Sequence, residues 1–178
     1  MFNRKKYEQD AVNLYRSTNA AILSTMSKKY EGYPFGSFIT YATDKSRTLF
    51  MYTSDIAQHT KNLKNDSKAC VTLFKLDTEY DKQNSSRLTL MGDLKKVPKD
   101  DLEECQERFV KFLPESKKYS SMHDFKFYKL EISRVRWIGG FGDIAWINPK
   151  NWKDDSPKWS KNEKMMIDHM NDDHANVI

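Results

Sequence analysis

The run "MMIDHMNDDHANVI" at positions 165–178 sets His169 and His174 among Asp168, Asp172 and Asp173. Imidazoles and carboxylates at this density are the donors of a metal centre or of a cofactor ligand. Helical residues five apart lie about 140° apart around the axis, so His169 and His174 do not share a face as i, i+4 zinc histidines do. His169 falls beside Asp173, and Asp168 beside Asp172. One neutral imidazole with a carboxylate to fix its tautomer suits an axial haem ligand, and a solvated helix face is the alternative.

Three other groups invite chemistry. His59 stands next to Thr60, Lys61 and Asn62, a polar cluster where an anionic cofactor could sit, unless His59 is simply a surface helix residue. "GGFG" at 139–142 could bring backbone N–H groups to an anion. It neither opens a helix nor has Walker or dinucleotide spacing, so a bend in a barrel is the better reading. No Gly-x-Ser-x-Gly turn is present, which argues against a serine hydrolase of that type. Cys70 and Cys105 are isolated thiols without CxxC spacing and read as reduced, packed cysteines.

These residues need elements to hold them. Ala11, Val12, Leu14 and Tyr15 predict an amphipathic helix at about 7–18. "AAILSTM" and the two β-rich runs of "SFITYATDKSRTLFMYTS" predict a three-stranded meander with an Asp-Lys-Ser turn. Ser54 and Asp55 offer N-cap oxygens to a short helix, and "ACVTLF" returns to strand. "RLTLMGDLKKV" is another strand. "PKDDLEECQERFVKFLP" predicts a helix with Pro98 at its start and Leu102, Phe109, Val110 and Phe112 facing inward. "HDFKFYKLEISRVRWIGGF" alternates as a half-exposed strand pair does. Six antiparallel strands with inserted helices fit a small β-barrel better than a parallel α/β sheet.

Boundaries follow from composition. Residues 1–148 read as one barrel domain, 149–160, polar and with two prolines, as a linker, and 161–178 as a helical tail. In 178 residues, any second unit must be a fragment. An aromatic share of 13% within 38% hydrophobic residues makes the chain globular despite 31% charged side chains. No apolar run approaches the roughly 18 residues that span a bilayer, so a cytoplasmic location without membrane contact is expected. The net charge of +5 comes from scattered lysines with few arginines, which argues against nucleic-acid binding.

Taken in order, "AAILSTM…YPFGSFITYATDKSRTLFMYTSDIAQHTKNL…ACVTLF", "SSRLTLMGDL", "ERFVKFLP" and "HDFKFYKLEISRVRWIGGFGDIAWI" resemble the pyridoxamine 5'-phosphate oxidase-like FMN-binding split-barrel family. The haem-utilisation branch is the nearer one, and the likeness covers about Ala20 to Ile147. The resemblance implies a mainly β fold, a six-stranded antiparallel split barrel of FMN-binding type, paired as a homodimer with its ligand at the subunit interface.

Flavin-binding members surround the FMN phosphate with basic side chains, where this chain has Gly36 and Tyr41 on the strand and Gln58 and His59 on the helix. Missing cations remove charge-assisted bonds worth about 1.5–3 kcal/mol each. In the haem branch a tail histidine ligates iron, which points to His169 or His174. By the same resemblance Arg87 would meet a propionate, Asp124 would support the ligand and His59 would line the pocket, with Lys61 beside it in the polar cluster. "HMNDDHA" also resembles the opening helix of a second domain found in longer members.

Three functions follow from the resemblance. The first is a haem-binding, haem-degrading oxidoreductase for iron utilisation. The second is an FMN-dependent oxidoreductase of the pyridoxamine 5'-phosphate oxidase type. The third is a barrel that binds a tetrapyrrole or a partner without turnover.

Overall fold

The computed structural model describes residues 4–76, 78–79, 81–153 and 161–173. Helix α1 (Arg4–Ser17) seals the barrel with the stripe read from its spacing, since Ala11, Val12, Leu14 and Tyr15 are all buried. Strands β1 (Ala20–Met26) and β2 (Pro34–Thr40) form a hairpin, and β3 (Ala42–Thr43) and β4 (Leu49–Ser54) form another. Helix α2 (Gln58–Asn65) leads into β5 (Lys68–Lys75) and then β6 (Ser86–Lys96). Helix α3 (Leu102–Phe112) precedes β7 (Phe125–Ile138), which turns into β8 (Ile144–Ile147).

All eight strand segments join one antiparallel sheet in the order β2-β1-β5-β6-β7-β4-β3, with β8 alongside β7. The expected six strands become six of at least six residues, plus the short β3 and β8. The expected meander is absent, because the β1–β2 and β3–β4 hairpins sit at opposite ends of this path. β4 is paired by β7 instead, Leu49 to Leu130 through Ser54 to Phe125. The segment read as a strand pair is one strand of 14 residues, whose first half pairs with β4 and whose last turns pair with β8.

The strand alternation sends one set of side chains inside. Leu23, Leu49, Met51, Val71, Leu73, Leu88, Leu90, Leu130 and Val135 fill the barrel under α1. On the reverse side of β4 and β7, Phe50, Phe127, Cys105, Phe109 and Leu113 make a second cluster beneath α3. Helix α3 therefore buries Cys105 and Phe109, while Phe112, expected inside, is 54% exposed.

Two glycines fix the strand geometry. At the bulge between Met91 and Gly92, a Cβ on Gly92 would lie 2.0 Å from the Glu131 carbonyl oxygen, so only glycine lets β6 approach β7 there. The "GGFG" run is the turn from β7 to β8, closed by the Gly139 N–H on the Asp143 carbonyl at 2.7 Å. Gly140 has φ +140°, and a Cβ there would meet Asn84 Oδ1 at 2.7 Å.

Packing continues past Ile147. Residues 149–152, at the start of the expected linker, form a short helix α4 (Pro149–Trp152) capped by Asn148, and Trp152 is 1% exposed against Tyr15. Residues 154–160 lie outside the described residues. Helix α5 (Glu163–Asp173) follows, joined to the barrel by a Glu163–Lys45 ion pair.

Candidate functional site

Helix α2 closes the barrel at the end of β4. Its N-cap position is Ala57, which offers no side-chain oxygen, so the expected caps do other work. Ser54 Oγ accepts from the Ile56 N–H, and Asp55 pairs with Lys64 at 2.8 Å, a bond that holds its carboxyl below the usual range. What anchors α2 is a buried polar network. Asn62, fully buried, donates to Thr25 Oγ1 at 3.0 Å and accepts the Lys28 N–H at 3.0 Å. Thr53 Oγ1 lies 2.7 Å from His59 Nε2 and 3.2 Å from Thr60 Oγ1.

His59 is therefore turned toward the sheet and spends a ring nitrogen on Thr53. Burial lowers its pKa, which favours the neutral imidazole. Lys61, two residues on, is exposed. Asp124 accepts from Ser54 Oγ, and its carbonyl receives the Asp55 N–H at 2.8 Å. Thr53 and Ser54 are successive strand residues and face opposite sides, so His59 and Asp124 bracket the end of β4 from its two faces.

Arg87 lies elsewhere. It pairs in register with Ile138 at the far end of β7 from Phe125, a separation of nearly the whole strand and on the order of 40 Å of contour. One chain therefore does not bring Arg87 and Asp124 together. Arg87 Nη1 donates to the carbonyls of Gln83 at 3.0 Å and Ser85 at 3.1 Å, which aligns the guanidinium along the outer face of the sheet.

That outer face is the most distinctive surface of the barrel. One register row crosses it as Phe38, Ile22, Thr72, Thr89, Arg136 and Trp146. Phe38 is 70% and Trp146 61% exposed, and the Arg136 guanidinium stacks over Trp146 at 5.0 Å. Two clefts of about 680 and 530 Å³ open on this face and share Met91 and Arg134. Arg134, Arg136 and Trp146 escaped the sequence reading. The signal was the alternation in "SRVRWI", which puts both arginines on the face opposite buried Val135 and Trp137.

The positions that carry a phosphate cradle in flavin-binding members do not make one here. Tyr41 is 1% exposed and donates to the Tyr15 carbonyl at 2.9 Å, and Gln58 donates to Asn62 at 2.9 Å. Gly36 has no side chain to offer, and His59 faces Thr53. An FMN phosphate does not fit this set. Among the described residues no group of three or more His, Cys, Asp or Glu is placed to hold a metal ion. His169 sits on exposed α5, while His174 and the Asp173 side chain lie outside the described residues. Both cysteines are free, and burial pushes the Cys105 thiol up to about 12. No described helix is long and apolar enough to cross a membrane.

Comparison with known proteins gives the same fold. The chain is 30% identical over 159 residues to the chloroplastic noncanonical heme oxygenase HOZ of Arabidopsis thaliana, covering 86% of this chain and 48% of that one. It is 26% identical over 144 residues to Protein CREG1 of Mus musculus, covering 74% of this chain and 65% of that one. The chain thus spans less than two thirds of either relative. A heme binding protein from Mycobacterium smegmatis superposes with a TM-score of 0.75 at 28% identity, over 82% of this chain and 59% of that structure. The CREG β-barrel family model matches residues 3–154, the helix-sealed sheet from α1 past Trp152, and the chain belongs to that family.

Proposed function

We propose that this protein binds haem on the outer face of its sheet, between two copies of the chain, and takes part in haem degradation for iron utilisation. The observation that carries the reading is the outer face itself, where exposed Phe38 and Ile22 stand at one end of the register row and Trp146 at the other, with Arg87, Arg134 and Arg136 on the strands toward Trp146. A flat macrocycle with two carboxylates requires that pairing of apolar area with bidentate cations. Relatives named for haem chemistry and haem binding support it.

In this reading the chain's own groups do the following. Trp146, Ile22 and Phe38 cover the ring and exclude water, and the arginines orient the propionates. A tail imidazole, His169 or His174, would hold the iron. Haem brings the iron, and its oxidative opening needs dioxygen and a reductant that the chain does not provide. Asp124 and Arg87 lie at opposite ends of β7, so both can serve one ligand only when two subunits contribute. The apolar exposure of the same face is what a homodimer would cover. His59 and Lys61, on α2, line neither of the two clefts on that face.

The test is a haemin titration of the purified protein with its oligomeric mass measured in parallel. A saturable Soret band, weakened by Trp146→Ala and by His169→Ala or His174→Ala, is the expected result. No saturable band overturns the reading. A band that persists when ascorbate and oxygen are supplied overturns degradation and leaves a non-catalytic tetrapyrrole-binding barrel.

A further inference from the structure

The end of α1, β3, the turn after it and the end of α3 enclose a pocket of about 400 Å³ that shares no lining residue with the outer face. Arg16, Lys45 and Arg108 line it, and none of its described lining residues is acidic. Between the lining residues Thr43 and Lys45, Asp44 is committed to its own turn, accepting the Thr48 N–H at 2.7 Å. Carbonyls at the end of α1 are also engaged, Leu14 by Ser17 Oγ at 3.0 Å and Tyr15 by the Tyr41 hydroxyl at 2.9 Å. Within the lining itself the charge is all positive, and Arg108 also borders a second cleft that holds Asp44, Asp101 and Glu104.

Arg108 is held in place for recognition. Its Nε donates to the Thr43 carbonyl and its guanidinium stacks over Phe112 at 5.1 Å. Among the described residues its two terminal nitrogens make no hydrogen bond, so a fork of donors is held beside an aromatic ring. This also accounts for Phe112, which is 54% exposed although α3 has a buried face to offer it. The ring forms part of the pocket wall. Thr18 and Asn19 add polar side chains at the entry to β1.

A carboxylate of this chain already sits at the rim, where Glu163 of α5 pairs with Lys45. From the three cations, the fixed fork of Arg108 and the Phe112 wall, we infer that this pocket binds a small organic anion. Its ligand is a carboxylate or phosphate carried on a flat apolar frame, with Glu163 competing for the same cations. The pocket's lining is separate from the residues of the outer face, and α5 carries both Glu163 and His169.

The test uses phenyl phosphate, benzoate and inorganic phosphate as probes, followed by chemical-shift titration of the full chain. Phenyl phosphate is expected to shift the Arg108 Nε–H and the Thr18 and Asn19 amides saturably. Losing one charge-assisted contact predicts roughly tenfold weaker binding or more in Arg108→Gln. Glu163→Gln is expected to bind several-fold more tightly. Because Arg108 also braces Thr43, Arg16→Gln serves as the second variant and is expected to weaken binding without changing the fold. Benzoate saturating the same resonances supports a shared carboxylate and phosphate site, whereas phosphate esters alone would narrow the ligand and overturn the carboxylate half. No saturable shift at millimolar probe, or affinity unchanged in both arginine variants, overturns the inference. Inorganic phosphate binding as tightly as phenyl phosphate overturns the apolar half of it.

Discussion

Arg47 Nη1 lies 2.9 Å from the carbonyl oxygen of Trp152, so a residue in the β3–β4 turn holds the last turn of α4. The same nitrogen is 3.0 Å from Glu8 on α1, and the guanidinium lies 5.8 Å from the Trp152 ring. Three segments distant in sequence are joined through one side chain. Its backbone is in the left-handed region at φ 68°.

Arg47→Ala removes the ion pair and the α4 contacts from a side chain only 15% exposed, and should cost about 2–3 kcal/mol. Arg47→Gly loses the same contacts but relieves the left-handed backbone, which is worth about 1 kcal/mol. The glycine variant should therefore be the more stable of the two in urea unfolding followed by tryptophan fluorescence. The reverse order would show that the turn carries no strain.

Gly92→Ala puts a methyl group 2.0 Å from the Glu131 carbonyl oxygen, a clash with backbone that no rotamer relieves. Loss of more than about 3 kcal/mol, or failure to fold, is expected from thermal melts and soluble yield. Gly36→Ala is the control, since its nearest neighbour is Ile22 Cγ2 at 4.0 Å, and should melt within a few degrees of wild type.

Acid should weaken the fold through His59. Its pKa is lowered by burial, so between its folded value and the unfolded value of about 6.5 the unfolded chain holds the extra proton. Stability is then full above about pH 6.5 and declines as pH falls through the window below it. Melting temperatures measured from pH 7.5 to 5 should drop less in His59→Gln than in wild type. Equal slopes would remove His59 as the cause.

Alkylation should distinguish the two thiols. Cys105 is 2% exposed with its thiol pushed up to about 12, whereas Cys70 is only half-buried on the outer face. Iodoacetamide at pH 8 is expected to spare Cys105 in the native protein and to label both thiols in urea, as read by peptide mass.

Phe38→Glu places a charge on edge strand β2, at the end of the exposed row and opposite Ile22. If two copies meet on this face, the variant should be monomeric in light scattering and should lose haemin affinity by at least tenfold. A dimer that survives the substitution would move the interface elsewhere.

The sequence revealed elements better than partners. The α1 stripe of Ala11, Val12, Leu14 and Tyr15 was legible because a helix face is written within neighbouring residues of one segment. The β4–β7 ladder was not, because Ser54 finds Phe125 only after α2, β5, β6 and α3 have intervened. Neighbouring runs of β-formers suggested a meander that the barrel does not make. The resemblance pointed to Arg87 and Asp124 but could not show that they stand beside opposite ends of β7. Arg134 and Arg136 were missed because attention to apolar alternation passes over the charged residues of the same period.

The sheet order also sets a timetable for synthesis. β4 has only the two-residue β3 as a neighbour until β7 emerges, and Ser54 must wait for Phe125. At about 5–20 residues per second, that is a delay of roughly 4–14 s during which a mostly apolar strand has an open edge on the ribosome. The β1–β2 hairpin and α2 can form early, so the half of the barrel opposite that edge is the part a nascent-chain chaperone has least reason to hold.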